Sequence, residues 1–331
     1  MIIALDAMGG DFAPAATVQG AVQALAKYDD LELVLTGDEQ RLRTELAAYD
    51  YPRERLTIEP TGSIVAMGES PTVALKEKKD SSITRAVELV KAGQAQALVS
   101  AGNTGAQMAT SLLILGRIRG VSRPGIGSFF PATDCTPLIL DVGANADLKP
   151  QNLLEFAIMG DLVQRITQKI TSPRVGLLSI GEEPSKGNEL TVAAHQLLSA
   201  FAGINFVGNI EGGDILRGTV DVIVCDGFVG NVVLKLVESI KGYVHGKIFA
   251  PMVAGLSGSS GEELQRVFTE VSRDLSYEEY GGAPLLGVNG VSIITHGAAT
   301  PRAIRNSIRE ARLLVKENLV TRIAETLDME I

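Results

Sequence analysis

Residues 220–231 read Val220-Asp-Val-Ile-Val-Cys-Asp-Gly-Phe-Val-Gly-Asn231, and this stretch decides the fold class. Residues 220–225 place apolar side chains on both faces of an extended chain, which is typical of a strand covered by helices on both sides. Asp226 to Asn231 combine glycine with polar residues, and a segment with helical periodicity follows, to about Phe249. Strand, glycine-rich loop and helix in this order indicate one unit of an α/β fold.

The same alternation extends along the chain and predicts a mainly parallel sheet covered by helices. No linker is evident, so we expect residues 1–331 to form one α/β unit with two interleaved subdomains. Residues 60–80 are predicted to be irregular. The predicted strands are Ile2–Leu5, Leu31–Leu35, Leu56–Ile58, Ala97–Ser100, Leu138–Asp141, Val175–Ile180, Ile204–Val207, Val220–Cys225 and Val291–Thr295. The predicted helices are about Pro14–Lys27, Asp38 toward Tyr49, Ser82–Ala92, Ala106–Leu115, Gln151–Lys169, Glu189–Ala202, Asn231–Phe249, Glu262–Leu275 and Pro301–Leu327.

Two of the helical segments, at about 231–249 and 262–277, follow each other without a strand between them. Each carries apolar residues at i, i+3 or i+4; Val233 and Val237 begin the first stripe. The pattern predicts a projecting two-helix hairpin over residues 231–277. It either covers the sheet or forms a dimer interface, and its apolar tip at residues 250–256 is a candidate membrane contact.

Charge and composition exclude several classes of protein. The formal net charge of −9 gives no overall attraction to nucleic acid, so we expect no nucleic-acid partner. Cys135 and Cys225 lie far apart in apolar segments, which we interpret as buried small hydrophobes in a reducing compartment. No segment approaches the ~20 apolar residues of a membrane span. The N-terminus lacks the features of a signal peptide. We expect a soluble, cytoplasmic protein that is at most peripheral to a membrane.

Six loops that follow predicted strands combine glycine with Asp, Asn, Ser or Thr. Because α/β folds bind ligands beyond the carboxyl ends of their strands, we expect these loops to form one crevice. Glycine exposes backbone N–H groups and the following helix adds its positive end, which indicates an anionic ligand. The loops are Asp6–Pro14, Ala101–Gly105, Asp141–Asn145, Gly181–Glu189, Asp226–Asn231 and His296–Thr300.

Particular residues of these loops are candidates for binding. Lys186 is the only cation in them, either a phosphate contact or a solvated turn lysine. The carboxylates suit a divalent metal, but capping and turn roles are commoner, and we expect no metal. Among the histidines, His195 and His245 have structural or surface positions, whereas His296 ends a strand in the crevice. The candidate binding residues are Asp6, Gly9, Gly10, Asp11, Gly102, Asn103, Thr104, Gly105, Asp141, Asn145, Asn188, Gly227, Gly230 and Asn231.

Several catalytic signatures are absent from the sequence. No G-x-G-x-x-G follows a strand, and the P-loop, the G-x-S-x-G elbow and the H-E-x-x-H motif do not occur. These absences leave a dinucleotide fingerprint, a P-loop, a serine-hydrolase elbow and a zinc-protease site without support. No cofactor is expected.

The combination of loops nevertheless resembles one family, the bacterial phosphate acyltransferases called PlsX. The similarity runs in order from the first residues to the final helix and is weakest at residues 249–262. The segments that carry it are Asp6–Asp11 with Pro14, Ser100–Ala106, Leu140–Asn145, Ser172–Gly176, Lys186–Glu189, Asp226–Asn231, Tyr280–Gly282 and His296–Gly297.

This resemblance implies an enzyme of phospholipid synthesis that transfers an acyl chain from acyl carrier protein to inorganic phosphate. It implies a fold like those of isocitrate and isopropylmalate dehydrogenases and of phosphate acetyltransferase. It also implies a cytoplasmic homodimer with peripheral contact at the inner face of the membrane, and glycerol-3-phosphate acyltransferase as a downstream partner.

The chemistry of the loops agrees with such a reaction, because phosphate is itself the nucleophile and no activated Ser or Cys is needed. Lys186 would offset the phosphate charge, and the Gly102–Gly105 and Gly227–Asn231 loops would supply hydrogen-bond donors. Asp226 or His296 would move the proton, and the sequence does not choose between them.

Three alternatives stay open at this point: an enzyme that uses acyl-CoA, a decarboxylating dehydrogenase of the same fold, and an acyl- or phosphate-sensing regulator.

A separate pattern concerns the carrier protein. The last predicted helix bears a basic stripe, which is either a docking face for an acidic carrier protein or a solvated face. The stripe consists of Arg302, Arg305, Arg309, Arg312 and Lys316.

Overall fold

A computed structural model describes residues 1–254, 266 and 281–330 of the chain. Its strands form one eleven-stranded sheet in the order β3-β2-β1-β4-β11-β10-β5-β6-β9-β7-β8. The strands are β1 Ile2–Asp6, β2 Glu32–Gly37, β3 Leu56–Pro60, β4 Ala97–Ser100, β5 Gly125–Phe129, β6 Leu138–Leu140, β7 Arg174–Leu178, β8 Asn205–Ile210, β9 Val222–Val224, β10 Ala283–Leu286 and β11 Val291–Ile294. The predicted α/β fold with a mainly parallel sheet is confirmed.

Helices cover both faces of this sheet. Two π-helical turns, Ser111–Leu115 and His245–Phe249, extend helices at their carboxyl ends. Among the described residues none of the helices is both long enough and apolar enough to cross a bilayer. The helices are α1 Ala15–Lys27, α2 Glu39–Leu46, α3 Pro71–Lys76, α4 Ser82–Lys91, α5 Thr104–Thr110, α6 Pro150–Thr167, α7 Glu189–Ala200, α8 Gly227–Val244, α9 Ala250–Ala254, α10 Pro301–Lys316 and α11 Leu319–Glu330.

Successive residues of the strands enter two different apolar layers, which explains why the strands are apolar on both faces. On β1, Ile3 and Leu5 belong to the layer that contains residues of α1, α6 and α10. Ala4, between them, belongs to the opposite layer, with residues of α4. The first predicted hairpin stripe enters this second layer too, because Val233 and Val237 of α8 pack against it.

Two strands that the sequence analysis did not predict, β5 and β10, reverse the sheet at its centre. β10 is antiparallel to both β11 and β5, and β5 is antiparallel to β6. Strands β6, β9, β7 and β8 are mutually parallel and therefore run opposite to β1–β4 and β11. The six loops consequently do not lie at equivalent ends. Three follow β1, β4 and β11 at what we call the first edge, and three follow β6, β9 and β7 at the second edge.

Several predicted boundaries need correction. Residues 60–80 are not wholly irregular, because they contain α3. The last predicted helix, Pro301–Leu327, is divided into two helices. Asn318, with a φ of 53°, separates α10 from α11. Cys225 is buried as expected, and burial raises the pKa of its thiol well above the ordinary value. Cys135, in contrast, is only half-buried, with its sulfur 3.4 Å from the carbonyl oxygens of Gly218 and Val220.

The first arm of the predicted hairpin is longer than expected. Helix α8 begins at Gly227, and the chain remains helical through α9, so residues 250–254 are helical where a connection was predicted. The remainder of the connection and the second arm, at 262–277, lie outside the described residues apart from Arg266. The hairpin, and the division into two subdomains, stay predictions.

Candidate active site

A cavity of about 460 Å³ lies on one face of the central antiparallel strands. Its floor consists of Ile126 and Ser128 from β5, Ala283 from β10 and Ile294 from β11. Because β5 has 5 residues and β10 only 4, loops from both edges of the sheet can reach the same space. The first edge contributes Asp11, Thr104 and His296, and the second edge contributes Gly143 and Asn231.

Asp6 organises the first edge from behind the cavity wall. Its side chain is buried; Oδ2 accepts a hydrogen bond from the Ser100 hydroxyl at 2.6 Å, and Oδ1 accepts one from the Met8 N–H at 3.2 Å. Burial raises the pKa of this carboxyl, although these hydrogen bonds oppose the shift. Gly9 packs so closely that an added Cβ would lie 2.6 Å from the backbone nitrogen of Gly102. Asp6, Gly9 and Gly102 therefore join two loops.

Asp11 joins the same edge to the loop that follows β11, because its N–H donates to the Gly297 carbonyl at 2.8 Å. Gly10, with a φ of 104°, makes this approach possible, since its Cβ would lie 3.0 Å from the same carbonyl oxygen. In the preceding residue, His296, Nδ1 accepts a hydrogen bond from the Ala298 N–H at 3.1 Å, so a neutral imidazole carries its proton on Nε2.

Asn103 donates hydrogen bonds as expected, but to its own chain rather than into the cavity. Its Oδ1 caps α5 by accepting from the Ala106 N–H at 2.9 Å. Its Nδ2 donates to the carbonyls of Ala66, Met67 and Glu69 at 3.1, 3.0 and 2.8 Å. These bonds fix the segment that brings Met67 to the cavity. The neighbouring Gly105 packs against Pro71 of α3, where an added Cβ would lie 2.6 Å from Cγ.

Asp141 organises the second edge. This buried carboxylate accepts five hydrogen bonds: four from the backbone N–H groups of Ile126, Gly143, Ala144 and Asn145, and one from the Asn145 amide, at 2.8 to 3.1 Å. The Asn145 amide also donates to the Pro124 carbonyl at 2.7 Å. Asp141 and Asn145 thus shape the loop whose Gly143 lines the cavity.

Two predicted glycines of the next loop lie against this structure. The N–H of Gly227 donates to the Asn145 carbonyl at 2.7 Å. An added Cβ at Gly227 would lie 2.6 Å from that oxygen, and one at Gly230 would overlap the Asp141 carbonyl oxygen. The glycines allow the start of α8 to approach the loop, so that Asn231 reaches the cavity.

Three further candidates at the second edge do not line the cavity. Asp226 caps α8 by accepting from the Val229 N–H at 2.9 Å, and Asn188 caps α7 by accepting from the Thr191 N–H at 2.9 Å. Lys186 is exposed in the loop after β7, two strands from β6. Of the three residues that the sequence analysis considered for chemistry, only His296 lines the cavity. The roles of Lys186 and Asp226 stay predictions.

Sequence reasoning missed Lys235 and Glu238, which line the cavity from α8. Their charged groups form an ion pair, with Nζ 2.8 Å from Oε2. Lys235 follows Asn231 by four residues, so the two share one face of the helix. Helical periodicity counted from Asn231 is therefore the signal that would have found them; the sequence analysis stopped at the end of the loop.

The basic stripe of α10 is not a set of free cations. Arg312 and Lys316 form ion pairs with Asp30 at 2.8 and 2.6 Å. Hydrogen bonds from these two cations, first Arg312, lower the pKa of Asp30. Part of the stripe therefore fastens α10 to the loop before β2, while the predicted docking of a carrier protein stays a prediction.

Comparison with known proteins gives results of two kinds. Residues 1–322 match the family model described as "Fatty acid synthesis protein". The chain is similar to the phosphate acyltransferase of Halothermothrix orenii, with 47% identity over 332 residues that cover 100% of this chain and 99% of that protein. It is similar to the phosphate acyltransferase of Pelotomaculum thermopropionicum, with 49% identity over 333 residues covering 99% and 95%.

The fold is similar to that of a solved phosphotransacetylase from Streptococcus pyogenes. The TM-score is 0.63, and the superposition covers 96% of this chain and 94% of that one at 16% sequence identity. At this identity the likeness concerns the fold alone.

Proposed function

Because the chain belongs to the phosphate acyltransferase family, we propose that it transfers a fatty acyl chain from the thioester of acyl carrier protein to inorganic phosphate. The product is acyl phosphate for phospholipid synthesis. The observation that carries this proposal is the cavity, where an apolar surface and a polar surface line the same space. An acyl thioester requires both surfaces, because its chain is apolar while its reacting carbonyl and the incoming phosphate are polar.

In this reaction an oxygen of hydrogen phosphate attacks the thioester carbonyl carbon, and the bond from that carbon to sulfur breaks. The proton of hydrogen phosphate ends on the departing thiolate, so a dianion enters and a dianion leaves. The protein's task is to hold the two reactants together and to stabilise the oxyanion of the tetrahedral intermediate.

The lining residues divide between these tasks. We assign the surroundings of the reacting groups to the polar side chains of Thr104 and Asn231, one from each edge, and of Ser128 from the floor. The acyl chain lies against the apolar side chains of the cavity. These are Met67, Ile126, Phe129, Val142, Leu234 and Ile294.

For assistance to the departing sulfur, the geometry favours His296 over Asp226. His296 lines the cavity, and its Nδ1 is occupied as an acceptor, so the Nε2–H of the neutral imidazole can donate a hydrogen bond to the sulfur as negative charge develops there. The proton of hydrogen phosphate passes to the thiolate, and the imidazole keeps its own proton. Asp226 uses Oδ1 to cap α8. Lys186 does not line the cavity. In the proposal its positive charge, in the loop after β7 at the second edge, attracts phosphate toward the cavity.

We also propose that the protein is a cytoplasmic homodimer with peripheral contact at the inner face of the membrane. Support for the dimer comes from α8. This helix exposes an apolar stripe that differs from the predicted stripe of Val233 and Val237, which packs against the sheet. Phe228, Val232, Leu236 and Tyr243 are 65%, 55%, 59% and 66% exposed. Such a stripe suits a second copy of the chain. Glycerol-3-phosphate acyltransferase stays the proposed downstream partner.

The test is to mix the purified protein with acyl-acyl carrier protein and phosphate, and to measure free thiol and acyl phosphate. We expect both products, and neither when phosphate is omitted. A parallel reaction with acyl-CoA distinguishes the two donors. Binding of the donor without thiol release would indicate a sensing protein. Reduction of a nicotinamide cofactor with a hydroxy-acid substrate would indicate a dehydrogenase. Either result would overturn the proposal.

A further inference from the structure

Within the described part of the chain, Lys235 is the only lysine or arginine among the residues that line the cavity. The other ionisable residues there are Asp11, Glu238 and His296. A phosphate dianion that entered a wall with two carboxylates and no fixed cation would be repelled. Lys235 supplies the positive charge that such a ligand needs.

We propose that the Lys235 ammonium binds the phosphate dianion in this cavity, and that Glu238 holds the ammonium when phosphate is absent. The inference rests on the proposed function, since it assigns the phosphate subsite of the same reaction. It makes Lys235 a catalytic residue that the loop motifs of the sequence did not indicate.

The ion pair has the properties of an exchangeable contact. Nζ of Lys235 lies 2.8 Å from Oε2 of Glu238, and the two side chains are 59% and 31% exposed. A partly exposed pair at i, i+3 is weak, because water screens both charges. An incoming dianion that brings two charges and several acceptor oxygens can therefore take the ammonium from Glu238.

The position of Lys235 also agrees with the geometry of attack. It lies one helical turn beyond Asn231, whose amide can donate to the same phosphate. Leu234, the preceding residue, belongs to the apolar wall proposed for the acyl chain. The cation thus lies where the polar and apolar parts of the cavity meet, which is where phosphate must stand to reach the thioester carbonyl.

Lys186 offers a contrast. It lies in the loop after β7 and is not among the residues that line the cavity. The two lysines therefore make separable predictions. Loss of a cation that contacts phosphate raises the KM for phosphate by a large factor, whereas loss of a more distant charge raises it less, because water and salt screen that attraction.

The experiment measures thiol release as phosphate is varied, at fixed acyl-acyl carrier protein. We expect Lys235→Ala to raise the KM for phosphate about tenfold or more, and Lys235→Arg to restore it to within about threefold of the wild type. Glu238→Gln releases the ammonium and removes a carboxylate, so its KM for phosphate falls. The matched control is Arg43→Ala, which breaks the exposed helical pair between Arg43 and Glu39 and leaves all constants unchanged.

A second measurement does not depend on turnover. Phosphate that binds the folded protein raises its Tm, and we expect Lys235→Ala to lose this rise while Arg43→Ala keeps it. If the wild type releases thiol but Lys235→Ala keeps the wild-type KM and Tm rise, the assignment of Lys235 is wrong and the proposed function stands. If the wild type releases no thiol, the proposed function fails, and the Tm measurement alone decides whether Lys235 binds phosphate.

Discussion

Asp6 and Asp141 are two buried aspartates at the carboxyl ends of strands, one at each edge of the sheet, and they are stabilised to different degrees. Asp141 accepts five N–H hydrogen bonds. Asp6 accepts one from the Ser100 hydroxyl and one from the Met8 N–H, and weaker interactions with the Ser82 hydroxyl and the Gly9 N–H also lower its pKa. Burial raises the pKa of Asp6 because these donors do not fully replace water. An aspartate at a strand end, with glycine two or three residues later, thus has its acceptor oxygens filled by N–H donors at the second edge and less completely filled at the first.

The largest expected effect comes from breaking the saturated site. Asp141→Ala leaves the buried N–H of Ile126 and the partly buried N–H groups of Gly143 and Ala144 without their acceptor. We expect the free energy of unfolding to fall by about 4 kcal/mol, measured by urea denaturation. Because Gly143 lines the cavity, turnover falls as well.

The matched variant at the first edge is Asp6→Ala. It removes fewer hydrogen bonds, and it also removes a carboxyl that burial disfavours in the ionised form. We expect a loss of only about 2 kcal/mol. Equal losses in the two variants would show that the number of donors does not decide how much a buried aspartate contributes here.

A third buried carboxyl, Glu310 on α10, provides the limiting case. Its Oε1 is buried and has no hydrogen-bond partner among the described residues. Burial raises the pKa of Glu310 from 4.5 to about 7. The folded protein therefore holds this proton to a higher pH than the unfolded chain. The stability that the protonated form provides is complete below pH 4.5, falls as the pH rises toward 7 and is lost above 7.

Glu310→Gln should therefore stabilise the protein at about pH 8 by up to about 3 kcal/mol, and the gain should vanish toward pH 4.5. The measurement is the Tm or the urea midpoint of both proteins across this range. Glu155→Gln is the control, because Glu155 is also buried but accepts hydrogen bonds from the Ser122 N–H and hydroxyl. It should destabilise the protein. If Glu310→Gln stabilises the protein equally at every pH, the raised pKa of Glu310 is not the cause of the gain in stability.

The sequence predicted nine strands but missed the two that reverse the sheet, and both omissions have a physical reason. β5 reads Gly125-Ile-Gly-Ser-Phe129, and its glycines weaken the strand signal. β10 contains Pro284, which within sheets is unusual away from an edge or a bulge. Both are specified by long-range pairing rather than by local preference, so the two edges and the cavity between them were not predictable.

Prediction of the site was limited in a similar way. Asp11, Thr104, Asn231 and His296, which line the cavity, were among the predicted binding or catalytic residues because glycine-rich loops at strand ends often mark ligand sites in α/β folds, and their roles stay predictions. Lys235 was missed because it lies inside a helix, where a lone lysine has no local signal. The loop residues that proved to be internal anchors, such as Asn103 and Asp141, have the same sequence pattern as ligand contacts. Only their hydrogen bonds distinguish the two roles.

The smallest expected change in the free energy of unfolding comes from the two asparagine caps, one at each edge. Asn188 is exposed and caps α7 through its Oδ1, so Asn188→Ala should cost about 1 kcal/mol. Asn103 is buried, and its Nδ2 donates to three carbonyls as well, so Asn103→Ala should cost about 2 kcal/mol.

Asn103→Asp separates the two contributions of this residue. Aspartate keeps the capping oxygen but has no amide to donate to the carbonyls of Ala66, Met67 and Glu69. The segment that carries Met67 to the cavity then loses its anchor, and we expect a raised KM for the acyl donor in the thiol-release assay. Asn188→Asp is the matched control and keeps its cap and its KM. If Asn103→Asp also retains the wild-type KM for the acyl donor, these three hydrogen bonds do not position Met67 against the acyl chain. Asn103 then acts as an ordinary helix cap, like Asn188.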